Sequence, residues 1–274
     1  MQNNNSIIDN LKLGDEYIFE TVLYQNKELT KQLIEKITGI CDIGRIEYIS
    51  TEETQKATFG GKGVRFDVYI KGQDGVAYIV ELQQRDTYEI PKRLRYYQVT
   101  SDARQLPKGK DSKYNNLKDN FVIFICREDI FGYGLYKYTF ENMCHEVQGL
   151  TLDDGTYKIF LNTQGTNGDV CAEVVDFLHA INGEIAKTEF VKEFERATEE
   201  IKEDEIWRAE YMQSLLREQE KFECAWNDGM QQGIQQGVEQ RNLEIAKKMI
   251  LRGDDIADIT ELSGLSKEEI LELK

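Results

Sequence analysis

Histidine is nearly absent from this sequence: two occur in 274 residues, His145 and His179, and neither sits in a motif. Acid–base catalysis centred on imidazole therefore has little support. Cysteine is thinly spread. The five residues, Cys41, Cys126, Cys144, Cys171 and Cys224, are odd in number, far apart and without a C-x-x-C pair. That argues against a disulfide frame or a zinc site and for reduced thiols that fill a core. No apolar run approaches the roughly 20 residues of a membrane helix, and the opening "MQNNNSIIDNLKLGDEY" lacks the charged-then-apolar order of a signal peptide. A cytoplasmic protein with no membrane partner is expected. Positive charge is in deficit as well, with 34 bases against 50 acids and a formal net charge of −16. As a whole the chain repels nucleic acid and anionic membranes. The deficit is uneven, because Arg85 to Lys118 holds nine bases against four acids, so one local face can still be positive.

What is present suffices for one sizeable core with chain left over: 40% of residues are hydrophobic and 10% aromatic. Residues 15–40 carry Ile18, Val22, Leu29, Leu33, Ile34 and Ile37 at helical spacing, closed by Gly39. Strand-like runs follow at 45–49, 64–70 and 76–82, then a helix at 91–106 with Pro91 in its first turn. "FVIFIC" at 121–126 reads as a strand covered on both faces, and 135–140 and 157–162 as two more strands. This order indicates an α/β or α+β domain over 1–185, a long acidic helical region at 186–228, and a glycine-repeat helix with a small helical tail at 229–274. In "GMQQGIQQGVEQ" glycine recurs at 229, 233 and 237. Each interior glycine costs about 1 kcal/mol relative to alanine, which favours a weak helix or hinge, while the shared face would let a second helix approach and the chain form a homo-oligomer. The end has helix starts at Asp254 or Asp255 and at Ser266, the latter with Glu269 in an S-x-x-E capping box.

The stretch "VRFDVYIKGQDGVAYIVELQQ" (64–84) places an acid in each of two strand-like runs, Asp67 and Glu81. If Gln73, Asp74 and Gly75 form a three-residue loop with Gly75 left-handed, Gly72 pairs with Val76 and Asp67 faces Glu81. Opposed residues have Cβ atoms about 4.5–5.5 Å apart, so both carboxylates can converge on one cation, and Gln83 falls on the same face as Glu81. Straight alternation puts Arg65, Asp67 and Tyr69 on one face and Phe66, Val68 and Ile70 on the other. Oxygen ligands without histidine or cysteine suit Mg²⁺ or Mn²⁺. Two readings stay open: charged residues on an exposed sheet face, or a metal site. A four-residue loop would oppose Asp67 to Val80 and dissolve the constellation.

An acid late in one strand, a turn, then E-x-Q closing the next strand, followed by a basic helix, resembles the PD-(D/E)XK nuclease core. More narrowly, Arg65 with Asp67, Glu81 with Gln83, Arg93 with Tyr97, and Gly109 with Tyr114 before the apolar strand at 121 resemble the Rpn family of recombination-promoting nucleases, also described as transposases. The resemblance spans nearly the whole chain. It implies a restriction-endonuclease-like fold, a central mixed sheet flanked by helices, with a helical tail. It also implies a Mg²⁺-dependent DNA endonuclease linked to recombination or mobile elements, leaving a 3′-hydroxyl and a 5′-phosphate. Asp67 and Glu81 would hold the metal, Gln83 would orient a water, and Arg93, Arg95 and Tyr97 would serve DNA binding. A helix acid, Glu28 or Glu35, would complete the site. Two departures stand out. Phe66 replaces the motif's proline, and Gln83 replaces its commoner lysine, so no ionisable group at 83 accepts a proton and low turnover is expected. The alternative is a nuclease-like interaction protein that assembles through its helical tail.

Overall fold

A computed structural model describes residues 4–48, 65–85, 87–106 and 113–273. Gly109, one of the motif positions, lies outside the described residues. Two compact units divide after Arg208, rather than near residue 185.

In the first unit, helices α1 (Asn4–Asp9), α2 (Glu16–Gln25) and α3 (Lys27–Thr38) lead into strands β1 (Glu47–Tyr48), β2 (Val68–Lys71) and β3 (Ala77–Gln83). Helix α4 (Ile90–Gln105), strands β4 (Asn120–Cys126), β5 (Lys137–Phe140) and β6 (Thr156–Asn162), and helices α5 (Ala172–Ile181) and α6 (Glu189–Glu203) follow. The strands form one mixed sheet in the order β1-β2-β3-β4-β6-β5. β3, β4 and β6 run parallel, while β1–β2, β2–β3 and β5–β6 are antiparallel. β4 is buried at every position, as its unbroken apolar run predicts for a strand covered on both faces. One sheet face packs Tyr69, Ile79, Val122, Phe124 and Phe160 with Leu94 and Tyr97 of α4. Residues of opposite parity, Val68, Val80, Leu82, Ile123 and Ile125, are buried on the other side. The unit extends past 185 because α6 buries Val191, Phe194, Ala197 and Ile201, with Phe194 edge-on to Phe177 of α5 at 5.0 Å.

The thiols differ from expectation. Of the five, Cys126 is buried, while Cys41, Cys171 and Cys224 are exposed and Cys144 is half-buried; none is in a disulfide. They are short side chains in polar segments, and four of the five are not core filler.

The turn between β2 and β3 has the expected geometry. Gly72 N–H donates to the Val76 carbonyl and Gly75 N–H to the Gly72 carbonyl, both at 2.9 Å, and Gly75 sits at φ +87°. The pairing Val68↔Val80 through Lys71↔Ala77 extends to set Asp67 beside Glu81. Alternation fails at one place. The ladder begins only at Val68, and a bend at Asp67 turns Phe66 onto the face of Tyr69, their rings 5.2 Å apart.

Helix α7 (Glu205–Arg252) begins at the end of the first unit, and the second unit adds α8 (Ile256–Ser263) and α9 (Lys267–Glu272). α7 is continuous through Gly229, Gly233 and Gly237, so the glycine repeat is not a hinge. Glycine weakens a helix without blocking it, and both prolines of the chain, Pro91 and Pro107, lie far upstream. Ala246 and Met249 of α7 pack with Ile259 and Ile270 of the short helices. Asp255 caps α8, and Ser266 and Glu269 form the anticipated capping box. Among the described residues no helix is long and apolar enough to cross a membrane.

Candidate active site

The register of the β2–β3 hairpin brings its two acids together at the mouth of the strand pair. Asp67 N–H donates to Glu81 Oε1 at 2.9 Å, and Leu82 N–H donates to Asp67 Oδ2 at 2.9 Å. Each carboxylate thus takes a backbone N–H from the opposite strand, in a position where ladder bonds have ended. A carboxylate accepting such a bond is held in one orientation.

Two helices close on this mouth. From α4, Arg93 Nη2 reaches Glu81 Oε2 at 3.3 Å, and the Tyr97 hydroxyl also bonds Glu81. The guanidinium carbon of Arg93 lies 4.9 Å from the centre of the Phe124 ring, a cation–π arrangement that fixes it. From α2 come Glu16 and Glu20, one turn apart on one helix face. Among the described residues, oxygens of Glu16, Glu20 and Asp67 all lie within 4.8 Å of one another. Arg65 Nη2 bonds Glu20 Oε2 at 3.0 Å. These groups line an open pocket of about 340 Å³, together with Gln83 and Gln84.

A backbone knot positions α2. The Gly14 carbonyl, just before the helix, accepts from Gln84 Nε2 at 2.9 Å and Arg127 Nη2 at 2.7 Å. Glycine is required by space: a Cβ there would lie 1.9 Å from the Ile181 carbonyl oxygen and 2.5 Å from Arg127 Nη2. Arg127 N–H in turn bonds the Gln83 carbonyl at 3.1 Å, so the ends of β3 and β4 and the start of α2 are joined.

The electrostatics are those of a site short of positive charge. Four carboxyls face two guanidiniums across the pocket. Burial, then the neighbouring Asp67, raises Glu20 to about 7. Burial also raises Asp67 to about 6, with Glu16 adding to the shift. Glu81, 2% exposed, is pushed well above the ordinary carboxyl range by burial and then by Asp67. Oxygen donors in this density, without nitrogen or sulfur, fit a hard divalent cation. A larger groove of about 820 Å³ runs along α6, but its Lys202 is matched by Glu199 at 2.8 Å, and among the described residues its acids form no group of three close enough to share a cation. Chemistry, not size, selects the smaller pocket.

The expected residues separate into three groups. Asp67, Glu81, Gln83, Arg93 and Tyr97 all line the pocket. Tyr97 is only 7% exposed and packs edge-on against Phe66 at 5.0 Å, so it braces Glu81 rather than presenting a surface to DNA. Arg95 is exposed on α4 outside the pocket, because two helical positions separate it by about 200° from Arg93. Glu28 and Glu35 do not complete the site. Glu28 accepts from Gln32 on the same helix, and Glu35 Oε1 is held by Ile43 N–H at 3.0 Å. Glu16 and Glu20 take that place. Their signal in the sequence is a like-charge i,i+4 pair, unfavourable on a helix unless something is bound there.

A family model described as PD-(D/E)XK nuclease family transposase matches residues 16–223. No curated protein and no solved structure matches the chain.

Proposed function

Because the chain belongs to the PD-(D/E)XK nuclease family transposases, we propose that it is a DNA endonuclease of low turnover that depends on Mg²⁺ or Mn²⁺ and serves recombination or mobile elements. The observation that carries this reading is the convergence of Glu16, Glu20 and Asp67 oxygens within 4.8 Å, beside Glu81. Those three would hold the cation, with Glu81 alongside them. Bound there, a divalent cation supplies Lewis-acid polarisation of a phosphoryl oxygen and lowers the pKa of a coordinated water.

The chain's own groups do the rest. Asp67 is oriented by Leu82 N–H, and Glu81 by Asp67 N–H, Arg93 and Tyr97. Gln83 donates its amide to the Arg85 carbonyl, which fixes the side chain at the pocket edge with its carbonyl as the group to accept a hydrogen bond from the attacking water. It orients but takes no proton, and that is the reason for low turnover. Arg93 balances Glu81, and the exposed Lys92 and Arg95 are suited to phosphate contact. Five cysteines outside any disulfide, three of them exposed, agree with a reducing, cytoplasmic setting.

The test is nicking of supercoiled plasmid. Open-circular product is expected with Mg²⁺ or Mn²⁺, stopping on EDTA and returning when cation is restored. Absence of nicking with either cation would instead favour a nuclease-like interaction protein.

Assembly has support of its own. Residues 217–241 of α7 are exposed but for none, and Phe222, Trp226, Met230, Ile234 and Val238 form an i,i+4 row, each 48–66% exposed. A lone helix with three interior glycines is marginal in water. The segment 217–228 has four acids and two bases, and 239–252 has four bases and two acids, so a second copy running antiparallel matches opposite charges along the row. We assign this face to a homodimer. Sedimentation is expected to show a dimer for the wild type and a monomer for Ile234→Glu; equal masses would remove the assignment.

A further inference from the structure

Of the pattern Arg65, Asp67, Glu81 and Gln83, Arg65 alone is left without a task in the chemistry above, although it lines the same pocket. The start of β2 holds it there. Phe66 is fully buried, its ring edge-on to Tyr69 at 5.2 Å and to Tyr97 at 5.0 Å, so its chain neighbours Arg65 and Asp67 are both fixed at the pocket mouth.

Two cations are found among the described residues of the pocket, and they are not equivalent. Arg93 is committed. Its Nη2 bonds Glu81, its guanidinium carbon lies 4.9 and 5.5 Å from the centres of the Phe124 and Tyr97 rings, and its Nε is buried without a hydrogen-bond partner. The Arg93 side chain is 33% exposed, that of Arg65 65%. Arg65 Nη2 bonds Glu20 Oε2 at 3.0 Å, and a guanidinium carries five N–H donors in a planar fork. One edge is anchored while most of the side chain meets solvent.

The anchor sets the place. Glu20 is one of the three acids whose oxygens lie within 4.8 Å of one another, so the guanidinium stands one carboxylate away from where a cation would be held. Charge makes a donor necessary there. Four carboxylates are offset by two guanidiniums and a divalent cation to no net charge, which leaves no general attraction for a phosphodiester. An arginine fork supplies a directed one, because it matches two phosphate oxygens at once. Lys92 and Arg95 lie outside the pocket and suit the flanking phosphates instead.

We propose that Arg65 binds the phosphate at the point of cleavage, with Glu20 holding its guanidinium in position. This rests on the nuclease reading above.

The experiment measures three quantities on the whole chain: duplex affinity by fluorescence anisotropy in Ca²⁺ over a range of salt, Mn²⁺ affinity by electron paramagnetic resonance without DNA, and plasmid nicking. Arg65→Ala is expected to bind two unrelated duplex sequences about tenfold more weakly, with a salt slope shallower by about one. It should bind Mn²⁺ at least as tightly as the wild type, because a positive charge beside Glu20 has been removed. Arg65→Lys should recover the salt slope and part of the affinity, an ammonium binding phosphate as a point charge. Nicking should fall from the wild type to Arg65→Lys to Arg65→Ala. If Arg65→Ala keeps the wild-type affinity and salt slope, or weakens Mn²⁺ binding with DNA binding intact, the arginine serves the carboxylates alone and the proposal is overturned while wild-type nicking stands. If the wild type neither binds nor nicks DNA, the nuclease reading falls and this proposal with it.

Discussion

Plasmid nicking by Asp67→Asn is expected to be at least about a thousandfold slower than by the wild type, a barrier increase of roughly 4 kcal/mol. Asparagine keeps an oxygen to accept from Leu82 N–H, now at 2.9 Å to Oδ2, so the hairpin should retain its register. What disappears is the negative charge at the centre of the cluster, where Asp67 lies against Glu16 and Glu20. A divalent cation held by these carboxylates would lose both a ligand and a charge. Stability without metal should move the other way. Asp67 is raised to about 6 chiefly by burial, so at pH 8 the native state holds an unfavourable charge that the variant lacks. Slower nicking with an unchanged or higher melting temperature separates loss of chemistry from loss of fold. Equal nicking by both proteins would place the activity in another site or in a contaminant.

The second large effect is on stability against pH. A carboxyl whose folded pKa exceeds its unfolded value, near 4, binds its proton more tightly in the native state. Its contribution is therefore full below about pH 4 and is lost as pH rises through the folded value. For Asp67 and Glu20 that loss runs through about 6 and about 7. Glu20 alone corresponds to about 3 kcal/mol between its limits; the sum over the cluster is smaller than separate losses because the groups share one field. Asp129 and Asp176 pull the other way. Despite burial, Asp129 is lowered by N–H bonds led by Gly134, and Asp176 by bonds led by Thr188. Their stabilisation grows as pH rises and is complete by about pH 5. From pH 5 to 8 in EDTA, the melting temperature should fall by several degrees in the wild type and by less in Glu20→Gln. Saturating Mg²⁺ should remove most of that fall, since binding to the native state alone stabilises it by mass action. Identical curves for the two proteins in EDTA would deny Glu20 its place in the charge cluster.

The hairpin was readable because its turn chemistry is local. "GQDG" with a glycine needing positive φ fixes the loop at three residues, and loop length fixes register, so Asp67 beside Glu81 follows from Gly75 at φ +87°. The helix acids were not readable in the same way. Glu28 and Glu35 of α3 resemble Glu16 and Glu20 of α2 as polar members of an amphipathic helix; only the docking of α2, pinned at Gly14 by Gln84 and Arg127, decides which pair reaches the pocket. Nor does alternation reveal the bend at Asp67. Phe66 joins Tyr69 in the core, and two aromatics three apart share a face only if the strand has not yet begun. Arg93 and Tyr97 were visible as a one-turn pair on α4, but their common engagement with Glu81 depends on how that helix lies over β3.

The paired bonds across the hairpin mouth, Asp67 N–H to Glu81 and Leu82 N–H to Asp67, make the two acids latches between the strands. A carboxylate that swings away releases an amide proton of the opposing strand to water. Fraying of the strand ends and disassembly of the charge cluster are then one event seen from two sides, and the isotope exchange of two main-chain amides keeps time for both. The site carries its own clock in the backbone.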